Sequence, residues 1–590
     1  MAGGKLFVLQ ARPITNLPDQ ALEPIPVPAE PPPGFWERHV IHFPDPVSPM
    51  LRYSYLPVHI AGLKHAFEDL SLLAEGVDFQ EIGGWIYSRL VPLGGKDRPT
   101  PPPWLMPLLI RLNRPIRNRV KGMVQAVRSD VIGSYIERWQ VEWKPGQEKR
   151  IAELITVDLM GTSDEALGQH VDAVLTFLAE SARIHGLVSW VDLVVPELAF
   201  ACRDLLGWDD WRTLDLLSGL SEQTGAPSRS LSDLARMARE RPAVRRLLEH
   251  IDRDTVSRLA EADPEFAAAF GAYQQEFGCQ LTRFDIDGPT LAEQPELLLG
   301  LIRDQIARGY DPKADAAALA QTRAAALAEA RDALATRSVT ERERFERALA
   351  RAERGYPIRD EHEFSVTSAP LVLLRYAVLE MGNRLAQRGL IAEREDIFFL
   401  EMSEAREALE GGGAHCRALV ARRRAERAWA LAHPGPASYG KPPGPPPSLA
   451  AFPPEARQLM EAMLWMIDRW FAPQLAGNGQ PTGTTSITGI AASPGRYTGP
   501  VRVIQGEAEF GKLQTGDVLL CPTTSPAWCV LFPSVGALVT DTGGILSHPA
   551  IIAREYRIPA IVATGNAMAV LHDGQLVTVD GNSGRVEILR

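Results

Sequence analysis

The residues best suited to chemistry in this 590-residue chain lie near its carboxy terminus, in Thr540-Asp541-Thr542-Gly543-Gly544-Ile545-Leu546-Ser547-His548. The segment reads as a strand that ends at Thr540, a tight turn made by a glycine pair, and a Ser-His step where a helix begins. Gly543 and Gly544 permit positive φ and close backbone approach. The unpaired N–H groups of the following helix then point at whatever His548 carries, and a helix N-terminus attracts anions. An imidazole is a competent nucleophile near neutral pH, where a serine without a base is not. The pattern therefore suits a phosphoryl group carried on His548, with Thr540, Ser547 and Arg554 as further donors to its oxygens. On local pattern alone, a histidine after Gly-Gly is more commonly a capping or turn residue.

A second polar stretch, Arg359-Asp360-Glu361-His362-Glu363-Phe364, offers Glu361 or His362 as base or orienter for an acceptor hydroxyl, with Arg359 beside them. A solvated polar turn between helices explains it equally well. His39, His42, His59, His65, His170, His185, His250, His415, His433 and His572 have no spacing that suggests a ligand set. The five cysteines, Cys202, Cys279, Cys416, Cys521 and Cys529, are widely spread without a CxxC pair. Neither a metal site nor a disulfide framework is expected.

The elements that must position these residues fall into unlike regions. Residues 1–15 contain a short strand, Lys5–Gln10, closed by Arg12-Pro13; residues 16–34 are a Pro-laden connector that reads as a stiff spacer. Residues 35–471 read as mainly α-helical, with strong runs at Pro196–Leu206, Leu231–Leu248 and Ala314–Gly355, the last broken near Thr336–Thr340. Within them, 433–454 is a Pro-rich loop or disordered insertion. Gly186–Trp208 is oily, but its Asp192, Glu197, Arg203 and Asp204 mark a buried helix, not a membrane span. A flexible linker, 472–485, leads into 486–590, a compact α/β domain with strand-like runs at Pro500–Ile504, Asp517–Cys521, Gly536–Thr540, Ala560–Ala563, Gln575–Asp580 and Arg585–Leu589, and a helix over Pro549–Tyr556. The fold class is thus multidomain: a mainly helical central domain plus a carboxy-terminal α/β domain tethered to move.

Across that last domain the chain resembles the swivelling phosphohistidine domain of the PEP-utilising enzymes, the group of phosphoenolpyruvate synthase, rifampicin phosphotransferase and phenylphosphate synthase. The resemblance rests on Thr540-x-x-Gly-Gly-x-x-Ser-His548, Ala550–Ala560, Gly489-x-x-Ala492-Ser493-Pro494-Gly495, Ser525-Pro526-Ala527-Trp528, Val562-x-Thr564-Gly565 and Asp580-Gly581-x-x-Gly584. It implies that His548 takes a phosphoryl group from ATP or PEP and carries it to a second site. Leu9-Gln10-Ala11-Arg12-Pro13 resembles the last strand of the family's ATP-grasp domain, which makes Gln10 and Arg12 a nucleotide-site remnant. The middle region is similar to the substrate-binding region of rifampicin-phosphotransferase-like proteins, through Phe35-Trp36, His42-Phe43-Pro44-x-Pro46-x-Ser48-Pro49, Pro289-Thr290-x-x-Glu293 and Arg375-x-x-x-Leu379-Glu380.

The resemblance implies a phosphotransferase component that uses ATP and Mg²⁺ bound by an ATP-grasp partner chain, and a small-molecule hydroxyl as acceptor. An apolar hydroxylated acceptor is favoured over pyruvate, because the middle region lacks TIM-barrel alternation. The alternative is a non-catalytic ligand-binding or regulatory relative, favoured by Gly278-Cys279-Gln280 where many relatives carry Gly-His-Arg. With 62 Lys and Arg against 73 Asp and Glu, and a net charge of −11, the chain is not built for nucleic acid or an anionic membrane. A cytoplasmic location is expected.

Overall fold

The computed structural model describes residues 22–96, 101–308, 311–471 and 485–589. Gln10, Arg12 and nearly all of the 472–485 linker lie outside the described residues.

Residues 49–471 form a largely helical region. Its helices begin where the sequence supplies caps. Ser163 accepts from Ala166 N–H and Asp164 and Glu165 sit in the first turn of the Asp164–Val188 helix, where carboxylates favour the positive end of the dipole. The Ala314–Gly355 run divides into Pro312–Leu334 and Val339–Gly355 because Ser338 and Glu341 close a capping box that starts a new helix. The Leu231–Leu248 run is not continuous: one helix ends at Arg239 and the next starts at Pro242, which cannot continue a helix but suits its first turn. Gly186–Trp208 likewise divides into the end of one helix, a 3₁₀ turn over Ser189–Leu193 and the Val194–Leu206 helix. Two runs, Asp164–Leu206 and Val339–Gln387, are long and apolar enough to cross a membrane, but 78% of each apolar window is buried inside the protein.

The helical region also holds a four-stranded antiparallel sheet that its periodicity did not announce. Its strands are β1 (Trp36–Arg38), β2 (Ala74–Ile82), β3 (Trp85–Pro92) and β4 (Ser438–Tyr439), in the order β2-β3-β1-β4. Gly83 and Gly84, both at positive φ, make the β2–β3 turn. Because β4 lies in the Pro-rich 433–454 segment, that segment is an ordered part of the fold: Arg38 N–H donates to the Ala437 carbonyl at 2.9 Å and Tyr87 OH to that of Pro436 at 2.7 Å. The described part of the first Pro-rich connector is a strap fixed to the surface, not a spacer. Ile25 N–H donates to Ala425 at 3.2 Å, and Trp36 Nε1 and Arg89 donate to Pro32 and Pro33 at 2.9 and 2.7 Å.

After the linker come β5 (Ser486–Thr488), β6 (Ile490–Ser493), β7 (Arg496–Val503), β8 (Val518–Cys521), β9 (Ala537–Thr540), β10 (Ala560–Val562), β11 (Leu576–Asp580) and β12 (Arg585–Ile588). They form one sheet in the order β5-β12-β11-β7-β8-β9-β10-β6, with β7 to β10 parallel and the outer strands antiparallel. The six expected runs are all strands; β5 and β6 are additional. Every residue of β8 and β9 is buried, as a central parallel strand covered on both faces requires. The strand region is docked on the helices. Trp528, Phe532, Ala550 and Ile552 share one apolar core with Leu231, Leu234, Phe266 and Phe270.

Candidate functional site

β9 delivers Thr540 to its buried carboxyl end, and the chain turns there before the His548–Glu555 helix. Gly543 has φ of 105°, and a Cβ at that position would lie 2.6 Å from Ser547 Oγ, so only glycine fits. The donors expected to hold a phosphoryl group instead build this turn. Thr540 Oγ1 donates to the Thr542 carbonyl at 2.7 Å, Ser547 Oγ to that of Gly544 at 2.7 Å, and Arg554 Nη1 to those of Ile545 and Ala492 at 2.8 and 3.1 Å. A tight loop leaves backbone carbonyls without partners, and these side chains satisfy them. Asp541 anchors the other side, accepting from Thr564 Oγ1 at 2.6 Å and Ala567 N–H at 2.7 Å.

His548, half-buried, opens the helix with its ring between two side chains of one 3₁₀ segment and its approach. Nδ1 lies 2.9 Å from Thr524 Oγ1, and Nε2 lies 3.8 Å from Cys529 Sγ. With Nδ1–H donating to Thr524, Nε2 bears the lone pair. Burial pushes the imidazole down to about 4, with Asp360 opposing and Arg359 assisting, so the ring is neutral at physiological pH.

Asp360 and Arg359 come from the helical region, and in the docked arrangement their charges act on His548. Arg359 is buried; it donates to the Leu546 carbonyl in the histidine's own loop, lies over the Trp470 ring and faces buried Asp192 at 3.9 Å. Its Nη1 is buried without a hydrogen-bond partner. Asp360 accepts from Ser221 Oγ at 2.6 Å. Further bonds hold the two regions together: Leu546 N–H to the Arg469 carbonyl at 3.2 Å, Gly219 N–H to Glu555 at 3.2 Å, and Ser525 Oγ and Trp528 Nε1 to the Thr282 carbonyl at 3.1 and 3.2 Å.

Of the three candidate acceptor residues, the structure brings Arg359 and His362 inward and turns Glu361 away. Glu361 accepts from Lys144 Nζ at 3.0 Å and Trp139 Nε1 at 3.1 Å, which makes it a strut between helices. The inward carboxylates are its neighbours, Asp360 and Glu363. Burial, with Asp360 adding to it, raises Glu363 to about 7, the range of a general base at neutral pH.

Behind them lies a group of histidines that the sequence keeps far apart. His39 Nε2 meets His42 Nδ1 at 2.7 Å, His59 lies 5.6 Å from His185 between ring centroids, and His185 lies 5.3 Å from His362. Phe79 and Phe284 wall the row. The expectation that these histidines lack partners is corrected here: their spacing in the chain is irrelevant because four separate segments supply them. Burial drives every one of these rings downward, His42 and His362 to about 4 and His185 to about 3. Yet His39, His42, His59, His185 and Glu363 remain only half-buried, so water-sized space reaches their side chains. The motif residues Arg375 and Glu293, by contrast, are structural: buried Arg375 pairs with Glu293 at 2.8 Å and also ties the Ile286 carbonyl.

Residues 513–584 match the family model of the PEP-utilising enzyme mobile domain, and residues 190–360 match that of the rifampicin phosphotransferase fourth domain. Among curated relatives, the chain is 36% identical over 235 residues to an uncharacterized phosphotransferase, YvkC, of Bacillus subtilis (strain 168), covering 39% of this chain and 26% of the relative. It is 29% identical over 384 residues to a rifampicin phosphotransferase of Streptomyces sp, covering 63% and 41%. It is 46% identical over 107 residues to a phosphoenolpyruvate synthase of Aeropyrum pernix (strain ATCC 700893 / DSM 11879 / JCM 9820 / NBRC 100138 / K1), covering 18% and 13%. The chain therefore spans well under two thirds of each of these relatives. It carries a PEP-utilising enzyme mobile domain, docked through the His548 loop against a helical region similar to the fourth domain of rifampicin phosphotransferase.

Proposed function

We propose that the chain is a phosphotransferase component in which His548 carries a phosphoryl group to a small-molecule hydroxyl in the histidine-lined chamber. The observation that carries this reading is a buried guanidinium, Arg359, that bonds the Leu546 carbonyl two residues before the helix-opening His548 imidazole and whose Nη1 has no hydrogen-bond partner. A phosphoryl group on Nε2 supplies the oxygens that such a donor lacks. In the transfer, the N–P bond of phosphohistidine breaks with its electron pair returning to the imidazole, and a P–O bond forms to the acceptor. The hydroxyl proton goes to the Glu363 carboxylate, which is poised to take it. Phe79 and Phe284 favour an apolar hydroxylated acceptor over pyruvate.

The phosphoryl group comes from ATP with Mg²⁺, held by an ATP-grasp domain on a partner chain. Loading requires His548 to leave Arg359 and the helices. Reactions of this kind work by two separated in-line transfers, each with preorganised donors on the phosphoryl oxygens. The setting is the cytoplasm.

The test is a phosphohistidine assay on the full chain, with labelled ATP, Mg²⁺ and an ATP-grasp protein as one donor and phosphoramidate as a second that needs no partner. The expected product is acid-labile, base-stable label that is lost in His548→Ala. A folded chain that takes no label from either donor overturns the proposal and promotes a ligand-binding role without transfer.

A further inference from the structure

His185, His362 and Glu363 each present one ligand atom to a common point, and the three atoms lie within 4.8 Å of one another. From this geometry we infer that the chamber binds one divalent transition-metal ion of the zinc type through His185, His362 and Glu363. Ligand atoms about 2.0–2.1 Å from a tetrahedral ion sit roughly 3.4 Å from each other, so modest side-chain rotation closes the set. Two histidines and a glutamate with a fourth position left open is the donor set of catalytic zinc.

Three independent features prepare the site. First, His362 is 6% exposed, and its Nδ1 donates to the Ile358 carbonyl at 2.9 Å. A carbonyl only accepts, so the proton sits on Nδ1 and Nε2 is left with its lone pair. Fixing a ligating histidine by a backbone carbonyl is how metal sites set its tautomer. Second, Thr367 Oγ1 bonds the Glu363 carboxylate and lies 3.5 Å from His185 Nδ1, so one hydroxyl orients two of the three ligands. Third, Glu363 and Thr367 lie in a π-helical turn, Glu363–Ser368, that continues the short Ile358–His362 helix. Such turns cost hydrogen-bond quality and recur at functional sites.

Three protein ligands leave a fourth position open to a hydroxyl. A hydroxyl bound there would lose its proton more readily, to water, so that with the ion in place Glu363 serves as its ligand and not as the base; this role of the ion rests on the phosphotransfer reading, whereas the site itself does not.

The experiment is metal binding to the full chain, stripped with chelator and titrated with Co²⁺ and then Zn²⁺. The expected result is one Co²⁺ per chain, with the visible absorption of four- or five-coordinate cobalt, displaced by Zn²⁺. His185→Ala and His362→Ala should each weaken binding by roughly 10²-fold or more, and Thr367→Val by about tenfold. The exposed-histidine variant His415→Ala should bind as the parent does. If either alanine variant fails to fold by circular dichroism, Glu363→Gln takes its place. No stoichiometric binding to the folded parent, or binding unchanged in the ligand variants, overturns the inference. Because no phosphoryl donor is present, failure here and failure of His548 labelling are separate results.

Discussion

The His548 loop and the chamber it faces were assembled by opposite means. The loop is one contiguous run, 540–548, whose shape is written into its glycines and its helix-opening Ser-His step, with Thr540 and Ser547 bonding carbonyls inside it. The chamber is gathered from residues near 39–42, 59, 185 and 359–363, brought together only by helix packing and by the small sheet around β2 and β3. On the proposed function the loop is a transportable cartridge and the chamber a fixed receptacle. Substitutions in the first should alter carriage, and those in the second acceptor use.

The largest expected effect tests the cartridge. His548→Ala should abolish labelling, whereas His59→Ala and His39→Ala should leave labelling intact and change only acceptor use; joint loss in all three would erase the distinction. Next, Arg359→Met should leave labelling in place and slow transfer by about 10²–10³-fold, the cost of removing one preorganised donor. It should also lower stability in urea by roughly 2–3 kcal/mol, because Asp192 is left buried without its cation. Arg359→Lys should recover part of the stability and less of the rate, since an ammonium lacks the planar fork.

Glu363→Gln should reduce transfer by about 10²-fold with normal labelling, measured by single turnover from prelabelled chain. A reduction in labelling instead would place Glu363 on the carrier side.

Acid should strain the receptacle first. His42, His185, His362 and His548 titrate well below the ordinary histidine value of 6.5. The unfolded chain therefore binds more protons between about pH 6.5 and 4, and the stability these rings contribute is full above 6.5 and lost as pH falls. Each contributes a slope of up to about 1.4 kcal/mol per pH unit. Glu363, raised to about 7, works in the opposite direction, its contribution being lost as pH rises towards 7. Calorimetry from pH 7 to 5 should show a falling Tm, flattened in His362→Gln and steepened in Glu363→Gln. The smallest effect belongs to the loop: Gly543→Ala should cost about 1–3 kcal/mol for its positive φ and slow labelling only several-fold.

Much of this was legible in the chain itself. The strand runs, the helix after His548, the break between the Ala-rich helices and the loop geometry follow from turn chemistry and caps, which act over a few residues. β1 and β4 were not legible, because they are only three and two residues long and pair Trp36 with Tyr439 from far along the chain; the β2–β3 hairpin did carry a local signal, the Gly83-Gly84 turn, which went unread among the helices around it. Nor was the order of the Pro-rich 433–454 segment, whose composition says nothing about the carbonyl partners, Arg38 and Tyr87, that hold it.

The amino-acid order alone determined the proposed carrier loop: His548, its glycine turn and its helix opening are set by neighbours in sequence. Only the tertiary structure decided the receiver. Successive helical residues point about 100° apart, so within Arg359–Glu363 the packing of the helix selected Asp360 and Glu363 to face inward and sent Glu361 to Lys144. The histidines, too, became partners only when burial closed the helices around them, because proximity in space is a property of the packed core and not of spacing along the chain.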